Sequence, residues 1–120
     1  MRMLLAAVLL AAATLPALAS GGEFRTPSSN IECYYEAGPK TLVCIRYKPD
    51  VQSVFLFVDE EPNVGPPETD STSADPKLPV LDYGRTWARG PVSCISEKSG
   101  LTCKSGKHGF SMSRAAVKAY

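Results

Sequence analysis

The chain has 120 residues, 13 basic and 12 acidic, with a formal net charge of +1. That length suits one domain, able to close a core if cross-links help. A balance this close to neutral argues against a nucleic-acid-binding domain, which is usually clearly basic.

Met1-Arg2, an apolar run from Met3 to Leu15 and Pro16-Ala17-Leu18-Ala19 have the three parts of a secretory signal peptide. The run is too short to span a bilayer, which takes about 20 apolar residues. The expected division is a signal peptide over 1–19, cleaved after Ala19, and one exported domain over 20–120, soluble in the periplasm or outside the cell. No lipobox cysteine follows the run. Without Arg2, 12 basic and 12 acidic residues remain. Asp59–Asp75 holds six carboxylates and no base, whereas Arg85–Lys118 holds seven bases against Glu97 alone. Such asymmetry is common on solvated faces.

All four cysteines, Cys33, Cys44, Cys94 and Cys103, follow the leader, and an even count in an exported chain predicts disulfides. Thr26-Pro27-Ser28-Ser29-Asn30 is a turn in which the Asn30 amide bonds its own backbone or holds a ligand. Ile31–Glu36 and Thr41–Tyr47, rich in β-branched and aromatic residues, flank Ala37-Gly38-Pro39-Lys40 and predict a hairpin. With Gly38-Pro39 at the tip, Cys33 opposes Cys44. Pro39 is awkward in a two-residue turn and favours a four-residue loop of the same register. In Cys94–Cys103 the loop centres on Lys98-Ser99, and Gly100 suits the left-handed position that closes it. The predicted bridges are Cys33–Cys44 and Cys94–Cys103; the pairing that staples one hairpin to the other lacks a register argument.

Ser53–Val58 is a continuous apolar run whose length and Val/Phe content predict a buried strand. The acidic, proline-rich stretch 59–79, with five prolines, is expected to be a long mobile loop because it holds too little apolar surface to order itself. Thr86-Trp87 and Pro91–Cys94 predict short strands about a turn at Arg89-Gly90. Lys104–Gly109 is a glycine-hinged turn, and Phe110–Ser113 alternates as a strand. Arg114–Tyr120 has the alanine propensity for a short C-terminal helix but lacks the length to be stable without docking. The fold class is mostly β: a small antiparallel barrel or sandwich with two local disulfides.

Five motifs occur in order: Phe24-Arg-Thr-Pro-Ser-Ser-Asn-Ile-Glu-Cys33, Leu81-Asp-Tyr-Gly84, Gly90-Pro-Val-Ser-Cys94, Ser99-Gly-Leu-Thr-Cys103 and His108-Gly-Phe-Ser-Met-Ser-Arg114. Together they resemble the DUF6636 type, a family of small exported bacterial proteins of unknown function. The resemblance covers both ends of the chain after the leader, and the central acidic region departs from the pattern. It implies an exported, disulfide-bonded domain and no activity.

Among catalytic signatures, G-x-S-x-G, H-E-x-x-H, S-x-x-K, the P-loop and G-x-G-x-x-G do not occur. Cysteine spacing and a single histidine do not suit zinc, so no metal or cofactor is expected. His108 is the one candidate for proton chemistry, in a small hydrolase or nuclease that pairs it with Arg114, Glu32 or Glu36. Between Lys107 and Gly109 it also reads as a plain turn residue. Arg85, Arg89, Lys104, Lys107 and Arg114 are candidates for an anion strip. Tyr34, Tyr35, Tyr47, Tyr83 and Trp87 read as sheet packing before they read as a binding face. The reading that fits best is a non-enzymatic binding or envelope-associated module, for instance a protein inhibitor. Its presented residues would be Lys98, Ser99, Gly100, Lys107, His108 and Arg114, and its partner an envelope or secreted protein. A structural envelope protein without a discrete site is the third alternative.

Overall fold

Alternating apolar and polar residues build two sheets, and their apolar faces make the core. A computed structural model of the protein describes residues 18–19, 21–67 and 69–120. The signal-peptide reading therefore falls outside the described residues except at Leu18 and Ala19.

The strands are β1 (Leu18–Ala19), β2 (Glu23–Arg25), β3 (Ile31–Glu36), β4 (Thr41–Arg46), β5 (Gln52–Leu56), β6 (Asn63–Gly65), β7 (Thr86–Arg89), β8 (Val92–Glu97), β9 (Gly100–Ser105), β10 (His108–Met112) and β11 (Val117–Ala119). One sheet runs β2-β3-β4-β5-β6 and the other β1-β7-β8-β9-β10-β11. All ladders are antiparallel except β1 with β7. The two sheets stay separate and do not close, so of the two expected architectures the fold is the sandwich.

Period-two alternation explains which residues face inward. Phe24, Leu42, Val54 and Leu56 of the first sheet meet Trp87, Val92, Leu101, Phe110 and Met112 of the second, each at most 1% exposed. Trp87 sits at the seam, its ring 5.3 Å from Phe24 and edge-on to Tyr35 at 5.8 Å. Its indole N–H donates to the Gly21 carbonyl at 2.6 Å, so the buried ring leaves no polar atom unpaired. Burying each such large side chain contributes about 2 kcal/mol.

Both bridges form in the predicted register. Cys33 lies opposite Cys44 and Cys94 opposite Cys103, with Cα atoms 4.1 and 4.0 Å apart. All four cysteines are buried in the one core cluster. Each bridge closes a short loop and contributes about 3 kcal/mol by the loop-entropy argument. Paired cysteines fit an oxidising, exported compartment. Among the described residues no helix is long and apolar enough to cross a membrane.

Two expectations are corrected, the C-terminal helix and the continuous burial of Ser53–Val58. The segment after β10 is not helical: Val117–Ala119 forms β11, pairing Met112 with Val117 and Phe110 with Ala119. The Ser113 side chain accepts from the N–H groups of Ala115 and Ala116, and its own N–H donates to the Ala116 carbonyl. This tight turn sends the chain back along an open sheet edge, whose ladder supplies more hydrogen bonds than a helix this short would keep.

The stretch 59–79 carries more order than its composition suggests. It contains β6, and Ala74 and Leu78 are buried. Hydrogen bonds anchor it: Ala74 N–H donates to the Ser29 carbonyl, and the Arg25 side chain donates through Nε to the Leu78 carbonyl. A few fixed points along a sheet thus substitute for a large apolar surface. Within β5, Phe55 breaks the burial expected of a continuous apolar run. Val54 and Leu56 point into the core, while Phe55 is 38% exposed and stacks at 6.4 Å on Phe57 on the outer face.

Candidate binding cleft

At one end of the sandwich, four chain segments surround an open cleft of about 330 Å³. The first is the β8–β9 hairpin. Glu97 pairs with Gly100, which leaves Lys98-Ser99 as a two-residue tip. Gly100 has φ +142°, and a Cβ built on it would lie 2.5 Å from the Met112 carbonyl oxygen. Only glycine lets the tip lie this close to the end of β10.

The second segment is the turn before β3. Ser29 N–H donates to the Thr26 carbonyl, and Asn30 N–H donates to the Ser28 hydroxyl. The Asn30 side chain does not bond the backbone of its own turn. Its Nδ2 donates to the Lys48 carbonyl at 3.0 Å and its Oδ1 accepts from the Lys48 N–H at 2.9 Å. The amide thus ties this turn to the one after β4, and both its ends are committed there.

The third segment is Ser113–Ala115, held from inside by buried Arg46, whose Nη1 donates to the Ser113 carbonyl at 2.9 Å. The fourth is Tyr83, 43% exposed, placed by buried Leu81 and by the Gly84 N–H bond to the Ser96 carbonyl. Ile31, Tyr83 and Ala115 give the cleft apolar wall, and Thr26, Ser28, Ser99 and Ser113 give it hydroxyls.

Charge at the cleft comes from Lys98, Arg114 and Glu97. None of the three has an ion pair or side-chain hydrogen bond among the described residues, where the one salt bridge joins Arg46 to Asp50. Two cations and one carboxylate therefore meet solvent at the mouth, with no internal partner to neutralise them.

The six residues expected to present a binding surface divide between two places. Lys98, Ser99, Gly100 and Arg114 line the cleft together. Lys107 and His108 do not: β9 runs between the two turns, and its six residues separate them by about 17 Å. His108 Nδ1 lies 3.1 Å from the Tyr120 backbone oxygen. No carboxylate side chain pairs with it among the described residues. Of its imagined partners, Arg114 is at the cleft, and Glu36 ends β3 opposite Thr41 in the other sheet.

Glu32, the third imagined partner, is buried on the outer face of the first sheet, where the segment around Asp75 covers it. It accepts from the Tyr34 hydroxyl and from the Asp75 N–H. Nearby Tyr47 has its phenol pushed up to about 12, first by burial, then by the charge and hydrogen bond of Glu32 and the charge of Asp75; a bond from Ser71 acts the other way. This cluster fastens the acidic segment to the sheet. Of the imagined anion strip, Arg89 lies over the Tyr35 ring at 5.6 Å, in the seam between the sheets.

Glu97 and the Thr26–Ser28 hydroxyls were not among the expected site residues, and Tyr83, expected as sheet packing before a binding face, is exposed at the cleft. They are brought together by packing between the sheets, which leaves no local signature. Arg46 did have one: it follows Leu42 and Cys44 at spacing two, so alternation alone points it inward. Comparison of the chain with protein-family models, with curated proteins and with solved structures gives no match in any of the three.

Proposed function

We propose that the protein is an exported, non-enzymatic binding module whose working end is the cleft formed by the Lys98-Ser99 tip, Tyr83, Arg114 and the Thr26–Asn30 turn. The carrying observation is that this end gathers unpaired charge, hydroxyls and an exposed ring around one concavity on a disulfide-clipped frame. A preorganised tip loses little conformational entropy on binding, which favours recognition. Export by the leader over 1–19 belongs to this proposal; cleavage after Ala19 would remove β1 and leave β7 at the sheet edge. So does the resemblance to the DUF6636 type, which rests on the quoted motifs. The partner class is an envelope or secreted protein, and a protein inhibitor is one form of the reading.

The test is capture from envelope and secreted extract by the oxidised protein, quantified by mass spectrometry across variants. Lys98→Ala and Arg114→Ala should each deplete an enriched partner, whereas Lys107→Ala and His108→Ala, at the far end of β9, should not. Capture that is blank, or equal in all four variants, overturns the assignment of the working end.

A further inference from the structure

We infer that the cleft takes a compact organic anion, a carboxylate or phosphate carried on a ring or short apolar group. The inference rests on the binding-module reading and names the chemistry of what that site recognises. It follows from how the charges and the apolar wall are arranged.

Lys98 and Arg114 stand on different segments, the β8–β9 tip and the chain beyond β10, yet both border the same concavity, and neither has an ion-pair partner among the described residues. Two like charges bordering one concavity disfavour each other, and an anion bound there would relieve that. Arg114 supplies a planar fork suited to carboxylate or phosphate oxygens, and Lys98 a point charge. Their segments are held: Gly100 fixes the tip against the Met112 carbonyl, and Arg46 fixes Ser113. The anion site is thus preformed at its backbone, and only the two side chains need to settle.

The rest of the lining is not that of a bare phosphate site. Ile31, Ala115 and the Tyr83 ring present apolar surface next to the cations, and a ligand of charge alone would leave it wet. The volume is at the small end for ligand sites, which typically span about 300–1,000 Å³, so the fitting group is roughly one ring with its acid. Glu97 borders the same space and opposes a second negative charge there. A monoanion satisfies all three charges: a carboxylate, or a phosphate monoester in its singly charged form, which prevails below its second pKa of about 6.

The experiment is a titration of the oxidised protein followed by amide NMR, using benzoate, phenyl phosphate, neutral benzamide and inorganic phosphate as probes. Benzoate, phenyl phosphate or both should shift the amides of Lys98, Ser99, Gly100 and Arg114, and which of the two binds more tightly identifies carboxylate or phosphate as the natural group. Lys98→Ala and Arg114→Ala should each weaken that binding by about three- to fivefold, the scale of an exposed ion pair. Glu97→Gln should tighten it, because a like charge is removed. Added salt should weaken it. Benzamide binding as well as benzoate, or inorganic phosphate shifting the same amides as strongly as phenyl phosphate, overturns the inference. So does the absence of any response to both aromatic anions. Macromolecular capture that persists without an anion response fails this inference alone; anion binding without capture fails the partner reading alone.

Discussion

Arg46 reaches from the first sheet to the carbonyl of Ser113 beyond the second, 67 residues along the chain, at 2.9 Å. Arg46 is 4% exposed, and its guanidinium also donates through Nη2 to the Asp50 carbonyl and carboxylate at 3.1 and 2.9 Å. One buried cation therefore ties the turn after β4, the end of β10 and one wall of the cleft together. Among the described residues its Nε has no partner, and neither has the buried Ser96 hydroxyl.

Arg46→Ala removes a packed stem and three hydrogen bonds at once and should destabilise the fold by about 3 kcal/mol. Arg46→Met keeps the stem and also removes the unpartnered Nε, so it should cost less than the alanine change. Urea unfolding of the two variants checks the order. Equal losses would mean that the hydrogen bonds carry the whole effect and the stem none.

Gly100 and Gly38 are both glycines at hairpin ends, and they should respond oppositely to alanine. A Cβ at Gly100 meets the Met112 carbonyl at 2.5 Å and the Ser113 Cβ at 3.0 Å, in a backbone region that L residues rarely adopt. A Cβ at Gly38 meets nothing within 4 Å, and its φ is not positive. Gly100→Ala should cost about 2 kcal/mol or more and shift the amides of Ser113 and Arg114. Gly38→Ala should be neutral or stabilising by a few tenths of a kcal/mol (about 0.4). Thermal unfolding with NMR on both variants separates a lip position from an ordinary loop position.

The two cysteine hairpins were legible because their information is local. In the first, the tip residues Gly38-Pro39 and the bridge Cys33–Cys44 specify the same register, and Ala37–Lys40 forms the four-residue loop that Pro39 calls for. In the second, Lys98-Ser99 and Cys94–Cys103 do the same. The C-terminal strand was not legible, because Ala115, Ala116 and Ala119 carry helix propensity while the pairing of Val117 with Met112 is a fact of the sheet edge. The cleft was half legible. Lys98 to Gly100 stood out as a clipped tip, but Tyr83 and Thr26 join it only through inter-sheet packing that no short window of sequence contains.

Tyr47 offers a pH test of how the acidic segment is fastened. Its phenol pKa is raised from 10.0 to about 12, with burial the first cause and Glu32 the second. A raised pKa means that the fold favours the neutral phenol. The stability this contributes is fully present below the unfolded value of 10.0 and is lost as pH rises through about 12. Ionised Tyr47 would face the carboxylates of Glu32 and Asp75, so the covering segment should loosen over that window. Absorbance titration of the wild type against Tyr47→Phe should assign a late-titrating phenol to Tyr47, with faster amide exchange at Ala74 and Asp75 over the same window. Glu32→Gln should lower the midpoint yet leave it above 10, because burial remains. A Tyr47 midpoint at 10 in the wild type would show that the segment does not cover the ring in solution, and the Glu32–Asp75 bond would then carry no fastening role.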